Sequence, residues 1–212
     1  MTKLTSELLR DVERLYTDNL GAHGASATAV GWKDAAQQRL RFEKLAYVVD
    51  ADAGAPSEMS VNDLGCGYGA MFGFLGERDR PALARYIGYD ISPAMVTAAR
   101  EVITDDRAVL VESASITETA DYSFVSGTFN VRLGADVDAW TAYVRRMVLE
   151  LAERSRRGFA FNLMTSHVDW RSDDLYYADP AEWLEFCKRQ VSARVTLLHD
   201  YPLYEWTMAV FL

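Results

Sequence analysis

Three glycines follow a short apolar run in the segment Val61-Asn-Asp-Leu-Gly-Cys-Gly-Tyr-Gly69, and a helical pattern begins directly after them. Glycine permits a tight turn and a close approach of the backbone, and a helix N-terminus offers free N–H groups. Such a turn cradles a polar group at the carboxyl edge of a sheet. The spacing Gly65-x-Gly67-x-x-Ala70 also satisfies the dinucleotide fingerprint, so the motif alone leaves the ligand class open. A turn that only packs tightly is the remaining interpretation.

A carboxylate stands at a matching position further along the chain. Asp90 ends the apolar run Tyr86-Ile-Gly-Tyr-Asp90, 23 residues after Gly67. An acid at the end of the second strand can accept hydrogen bonds from both hydroxyls of a ribose, which an adenosine ligand requires. Asp90 could instead only cap the following helix, but Ser92 is placed to do so. The two signals together predict an adenosine-type ligand.

These residues resemble the first two motifs of the class I S-adenosylmethionine-dependent methyltransferases. The segment Asp63-x-Gly65-x-Gly67-x-Gly69 is similar to the first motif of that superfamily, and Asp90 is similar to its ribose-binding acid. The resemblance implies that S-adenosylmethionine is the cofactor. It also implies that the residues that bind the cofactor include Asp63, Gly65, Gly67 and Asp90.

The resemblance covers residues 59–212. The closing strand pair at 194–212 is similar to the reversed seventh strand of the superfamily. A nicotinamide-binding Rossmann domain requires neither that strand pair nor an acid two residues before the first glycine. The combination favours methyl transfer over hydride transfer.

The same resemblance implies further contacts at the ends of the third and fourth strands. Ser113 stands where the superfamily often has an acidic adenine contact, with Glu112 and Ser115 as alternatives. Ser126 and Gly127 follow the fourth strand, where family members line the methionine moiety and the acceptor. In the same segment, Asn130 is expected to contact the substrate, although the prolines and tyrosine of amino-methylating members are absent.

Alternating strand and helix patterns after residue 58 predict crossover helices and a parallel sheet. We predict strands at 60–64, 86–90, 108–111, 122–125 and 158–164, and helices at 70–78, 93–104, 136–155 and 180–190. The runs 194–199 and 205–212 are joined by only five residues, so we predict an antiparallel hairpin. The predicted fold is α/β, a doubly wound and mostly parallel seven-stranded sheet of the Rossmann-like methyltransferase type, with an antiparallel last strand.

The N-terminal part is predicted to form a helical cap. Residues 5–20 and 33–49 have helical patterns, and an Ala/Asp/Gly/Pro-rich stretch at 50–57 suggests a linker. We therefore divide the chain into a cap and linker at 1–58 and a Rossmann-like, cofactor-binding domain at 59–212. We expect the cap to close over the cofactor, with Trp32 covering it.

Arg41 of this cap is expected to meet the methionine carboxylate, because a guanidinium matches a carboxylate bidentately. A surface arginine and a tryptophan that only packs are an equally good interpretation. A basic run at 154–157 is interpreted as the cationic end of a helix.

Two histidines follow predicted strands at the reactive edge of the sheet. His199 and His167 are candidate general bases for an acceptor that must lose a proton, although a hydrogen-bonded histidine is the more common case. Tyr176 and Tyr177 lie in a long aromatic and acidic loop, and Tyr201 lies in the hairpin connection. We expect these tyrosines to contact the substrate, with simple loop packing as the alternative.

Composition restricts the class of protein. The chain has 212 residues and a net charge of −9, which disfavours a nucleic-acid partner. It has no apolar run long enough for a membrane span, and we expect a cytoplasmic protein with no membrane partner. Its two cysteines have no ligand spacing, so no metal site is expected.

The resulting hypothesis is an S-adenosylmethionine-dependent methyltransferase that acts on an oxygen or nitrogen of a small polar molecule. Three alternatives stay open. They are a methyltransferase that acts on a protein, polysaccharide or RNA, a nicotinamide-dependent reductase, and a non-catalytic sensor that keeps the cofactor site.

Overall fold

The computed structural model describes residues 3–212, and the side chains from residue 8 onward. The helices are α1 (Lys3–His23), α2 (Ala35–Asp50), α3 (Ala70–Gly76), α4 (Pro93–Val102), α5 (Val137–Arg154) and α6 (Pro180–Gln190). The strands are β1 (Glu58–Leu64), β2 (Ala82–Asp90), β3 (Ala108–Glu112), β4 (Ala120–Val125), β5 (Ser155–Thr165), β6 (Tyr177–Ala178), β7 (Val195–Leu198) and β8 (Glu205–Phe211).

The strands form one sheet in the order β3-β2-β1-β4-β5-β8-β7. The first five strands of this order run parallel, whereas β8 runs antiparallel to both β5 and β7. This arrangement confirms the predicted Rossmann-like methyltransferase fold and its terminal hairpin. The predicted seven-strand count omits β6, a two-residue strand that pairs with the end of β5.

Helices cover both faces of the sheet, as a mostly parallel sheet requires. One buried cluster joins the sheet to α5 and α6, and a second joins its other face to α2, α3 and α4. Apolar residues recur at helical spacing along α5, and Trp140, Val144, Met147 and Leu151 are all buried. The helix therefore lies flat on the sheet.

Local sequence signals set several boundaries. Ser92 caps α4 by accepting from the Met95 amide, and Pro93 occupies the first helical turn. One boundary differs from the prediction, because β5 begins at Ser155 directly after α5. Arg156 and Arg157 therefore lie in a strand and not at a helix end. They pair there with Asp121 and Asp52.

Candidate functional site

The glycine turn is fastened to the end of the neighbouring strand. The amides of Gly65 and Cys66 both donate to the Tyr89 carbonyl, at 2.7 and 2.9 Å. Gly65 has a φ of 75°, in the left-handed region that favours glycine. A Cβ atom at Gly65 would lie 2.0 Å from Oγ1 of Thr128. The turn thus brings the bare backbone against the segment that follows β4.

A second bare backbone position lies in that segment. Gly127 has a φ of 73°, and a Cβ atom there would lie 2.3 Å from Cη2 of Trp32. The Gly127 amide donates to Oδ1 of Asn162 at 2.7 Å. The ring of Trp32 therefore rests on the backbone after β4, so the cap reaches the residues that the sequence assigns to the cofactor.

Asp90 lies buried between the two backbone segments that flank it. Its Oδ2 accepts from the Gly67 amide and its Oδ1 accepts from the Ser92 amide, both at 2.9 Å. Burial raises the pKa of this carboxyl, and the amides that bond to it oppose the rise. Each carboxyl oxygen has a further lone pair for a ligand hydroxyl.

Asp63 ends close by in β1 and is also buried. The hydroxyl of Tyr86 donates to Asp63 Oδ2 at 2.5 Å. Burial, helped by the charge of Asp90, raises the pKa of Asp63 to about 7. Its carboxyl therefore titrates near neutral pH and is sensitive to any charged group placed beside it.

These residues border a cleft of about 650 Å³, part of which is open to solvent. Gly65, Gly67 and Asp90 line it together with Ser113, Ser126 and Gly127. Glu112 and Ser115, the alternatives to Ser113, are absent from its wall within the described chain. Ser113 bonds through its hydroxyl to the backbone of Ser115.

Polar and apolar walls of the cleft fit an adenosyl group with an amino-acid tail. The buried Oγ of Ser126 has no hydrogen-bond partner among residues 3–212, so a polar atom is available for a ligand. Ile91, Met95 and Ala114 supply apolar surface beside Asp90. A smaller pocket that shares Gly65 and Ser126 adds Asp63, Gln38 and Tyr68. The glycine backbone and the unpaired Ser126 hydroxyl therefore suit a ligand with an adenosyl group and an amino-acid tail.

The cap contributes residues that the sequence did not single out. Leu9, Val12 and Tyr16 of α1 line the same cleft. Thr17 Oγ1 lies 2.8 Å from the hydroxyl of Ser92, which joins α1 to α4. The helical period of α1 was visible in the sequence, but a period alone does not say which cleft a helix will cover.

Arg41 lies elsewhere than predicted. Its guanidinium forms a bidentate pair with Glu205, with N–O distances of 2.8 to 3.1 Å, and also donates to the Gln37 carbonyl. The two side chains are only 7% and 4% exposed. Trp32 stacks on the guanidinium, with 3.8 Å from its ring centroid to Cζ. Because β8 supplies the buried Glu205 carboxylate, Arg41 forms its ion pair within the protein and does not line the cleft.

Glu205 continues this buried network to the cofactor segment. It accepts from the Asn162 side-chain amide at 2.5 Å, and Asn162 in turn accepts from the Gly127 amide. Neither Glu205 nor Asn162 was predicted as a site residue from the sequence. A charged residue at the start of an otherwise apolar strand was the available signal, but it does not reveal a partner.

The two candidate bases also differ from prediction. His167 and His199 are exposed and stack on each other, with ring centroids 6.1 Å apart, and neither lines the cleft. The order of the sheet explains the place of His199, because β7 lies three places beyond β4 and two strands separate them. His167 follows β5, the neighbour of β4, and its exposed ring lies against His199. The carboxyl ends of the parallel strands share one edge with that of β7, but only the central strands border the glycine turn.

The expected substrate residues have different surroundings. Asn130 is buried and accepts from the Met164 amide at 3.0 Å, so it ties the segment after β4 to β5. Tyr176 is a core residue whose hydroxyl bonds to Thr141. Tyr201 is buried and bonds to Thr207.

Tyr177 alone of these residues lines a cavity, one described below. Within residues 3–212, no group of three His, Cys, Asp or Glu side chains could hold a metal ion. Every helix in that range is too short or too polar to cross a lipid bilayer.

Comparison with known sequences gives two matches. Residues 62–158 match the model of a family described as "Methyltransferase domain". A protein of Mycobacterium tuberculosis (strain ATCC 25618 / H37Rv), named "Putative methyltransferase Rv1506c", is 45% identical over 159 residues. The alignment covers 74% of this chain and 95% of that relative.

Comparison with solved structures gives the same fold. Magnesium protoporphyrin IX methyltransferase (ChlM) from Synechocystis PCC 6803, with bound SAM, has a TM-score of 0.59 and 15% identity. That match covers 83% of this chain and 80% of the other. The DhpI-SAH complex has a TM-score of 0.63 and 16% identity, and the match covers 95% and 96% of the two chains.

Proposed function

Because the chain belongs to the class I S-adenosylmethionine-dependent methyltransferases, we propose that it methylates an oxygen or nitrogen of a small polar molecule. The observation that carries the proposal is the cleft in which Gly65, Gly67 and the buried Asp90 meet an orphaned Ser126 hydroxyl. The residues of α1 that line this cleft favour a small acceptor over a macromolecule.

S-adenosylmethionine supplies an activated methyl group on a sulfonium. We assign the ribose hydroxyls to Asp90 and the adenine to the wall formed by Ser113 and its neighbours. Ser126, Gly127 and Asp63 are assigned to the methionine part, with Trp32 as the cover. Arg41 has no place in this assignment, because Glu205 already neutralises it.

The protein's own contribution is mainly positioning. Holding two reactants in an in-line geometry can supply roughly 7 to 11 kcal/mol of the barrier. The bare backbone at Gly65 and Gly127 allows close approach, while Leu9, Val12 and Tyr16 of α1 line the cleft and reduce its exposure to water. Asn130 fixes the segment after β4 by its bond to the Met164 amide.

Neither histidine is expected to act as the general base. His167→Ala and His199→Ala should each keep methyl transfer within about twofold of the wild type, because both imidazoles lie outside the cleft. Rates of methyl transfer at neutral pH test this expectation. The acceptor in this assay is the fraction of a metabolite extract that takes up the labelled methyl group. A loss of about a hundredfold in either variant would restore that histidine as the base.

Cofactor affinity should depend on the ionisation of Asp63. The pKa of Asp63 is about 7 without ligand, and a cationic amino group beside it would lower that pKa. Binding then releases a proton below pH 7, so affinity should rise with pH. We expect S-adenosylhomocysteine to bind about tenfold more tightly at pH 8 than at pH 6.

Calorimetric titrations across this range provide the measurement. Asp63→Asn keeps an acceptor for Tyr86 but cannot ionise, and it should bind more weakly with a nearly flat pH profile. A flat profile in the wild type would remove Asp63 from the cofactor site.

The acceptor class is tested by incubation with S-adenosylmethionine carrying a labelled methyl group and a fractionated metabolite extract. Label in a low-molecular-weight fraction supports the proposal, whereas label in protein, polysaccharide or RNA supports the macromolecular alternative. Binding of S-adenosylhomocysteine without turnover would indicate a sensor. Binding of NADH in its place would indicate a reductase.

Two further assignments accompany the proposal. We treat residues 1–58 as the cap and linker and 59–212 as the cofactor-binding domain, with residues 1 and 2 outside the described residues. The cytoplasmic location and the lack of nucleic-acid and membrane partners stay predictions.

A further inference from the structure

A second cavity, of about 500 Å³ with part of it open to solvent, lies at the carboxyl ends of β5 and β6. It shares no lining residue with the cofactor cleft. Its wall is formed mainly by three aromatic rings, an acid and two apolar side chains: Trp170, Tyr177, Tyr204, Asp169, Met164 and Leu175. It is therefore large enough for a small organic group.

One short segment connects this cavity to the cleft. Thr128 lines the cleft, and three residues later Val131 pairs with Leu175 of the cavity wall. Asn130, between them, accepts from the amide of Met164, another wall residue. A molecule bound in the cavity is thus next to the segment that borders the cofactor.

The rings of the cavity are unusually exposed for their size. Trp170 is 73% exposed and Tyr204 is 63% exposed. The other large hydrophobic residues exposed in the described chain are valines and leucines, and they are scattered over other elements. These two rings line one cavity and are mostly uncovered by the rest of the chain, so they are available to a ligand.

The charge around these rings selects the ligand. The loop at 166–179 contains four aspartates and one arginine, in a chain of net charge −9. Asp169 lines the cavity itself. The guanidinium of that arginine, Arg171, lies 5.4 Å from the ring centroid of Tyr177 and donates to the Ser166 carbonyl. One ring of the cavity therefore already holds a cation.

We propose that this cavity binds an organic cation, and that it is the subsite for a positively charged group of the methyl acceptor. Aromatic faces attract cations electrostatically, and the Asp169 carboxylate adds an opposite charge to the same wall. The cationic group is distinct from the methyl-accepting atom, which must carry a free electron pair. The assignment to the acceptor rests on the proposed function, whereas cation binding itself does not.

Choline and its neutral carbon isostere, dimethylbutanol, are suitable probes for the cavity. In calorimetric titrations of the full chain, we expect choline to bind about fivefold or more tightly than dimethylbutanol. Trp170→Ala and Tyr204→Ala should each weaken choline binding about fivefold. Leu149→Ala, which removes an exposed apolar side chain on α5, serves as the matched control and should leave binding unchanged.

Two charge variants separate cation binding from apolar binding. Asp169→Asn should weaken choline about threefold or more, because it removes the carboxylate from the wall. Arg171→Gln should strengthen choline binding, since it removes a like charge and frees the face of Tyr177. Neither change should affect dimethylbutanol.

Binding of choline and binding of S-adenosylhomocysteine are measured separately, so a failure of the cation site can be told apart from a failure of the proposed function. S-adenosylhomocysteine should bind wild type, Trp170→Ala and Tyr204→Ala equally, because none of these residues lines the cleft. Equal affinity for choline and dimethylbutanol, or no binding of choline by the wild type, would overturn the cation site. If choline binds but S-adenosylhomocysteine does not, the cavity stands and only its assignment to a methyl acceptor falls.

Discussion

Asp90→Ala is expected to weaken S-adenosylhomocysteine binding by at least about a hundredfold in calorimetry. The variant removes the acid that we assign to both ribose hydroxyls, and a hydrogen bond to a charged group contributes about 1.5 to 3 kcal/mol. It also removes the acceptor that fixes the Gly67 amide in the glycine turn. Both losses act on the same wall of the cleft.

Two control variants show whether weaker binding comes from the loss of the Asp90 carboxylate or from unfolding of the protein. Asp90→Asn retains an oxygen for one backbone amide, and it should bind more weakly than wild type but more tightly than Asp90→Ala. Asp106→Ala removes an exposed carboxylate near β3 and should bind like the wild type. Wild-type affinity in a folded Asp90→Ala protein would contradict the assignment.

Arg41→Met is expected to lower the free energy of unfolding by about 3 to 5 kcal/mol. The change leaves the Glu205 carboxylate buried without its cation, and breaking a buried ion pair from one side has a cost of this size. For a chain of this length, the melting temperature should fall by about 10 °C. Urea unfolding and thermal melting both measure the effect.

Arg39→Met supplies the matched control. Arg39 lies on the same helix and pairs with Glu43 and Glu77, but all three side chains are about half exposed. Its loss should leave the free energy of unfolding nearly unchanged, because exposed ion pairs are screened by solvent. Replacing both Arg41 and Glu205 with methionine should recover part of the stability, because no uncompensated charge is then left. An Arg41→Met effect as small as that of Arg39→Met would show that the pair contributes little.

The features that could be predicted depend on residues that lie close together in the sequence. A glycine turn after an apolar run and an acid at the end of the next strand lie within about thirty residues, and their roles follow from strand direction and turn chemistry. The N-cap of α4 was equally local, since Ser92 and Pro93 are adjacent. The five-residue link before β8 likewise left only an antiparallel hairpin.

The features that escaped prediction depend on long-range pairing. Arg41 and Glu205 are 164 residues apart, and neither local sequence indicates that the two side chains pair. His167 and His199 were placed at the correct edge, but the order of the strands decides which part of that edge borders the cleft. β6 is two residues long and carries no periodic signal of its own.

A crystal structure of the complex with S-adenosylhomocysteine would show directly where the cofactor binds. The account predicts electron density for the ligand in the cleft between Gly65 and Asp90, with the ribose hydroxyls on the Asp90 carboxylate and the amino-acid tail toward Ser126. Density for the ligand at another site, or a cleft that the protein's own side chains fill when the ligand is saturating, would contradict this assignment.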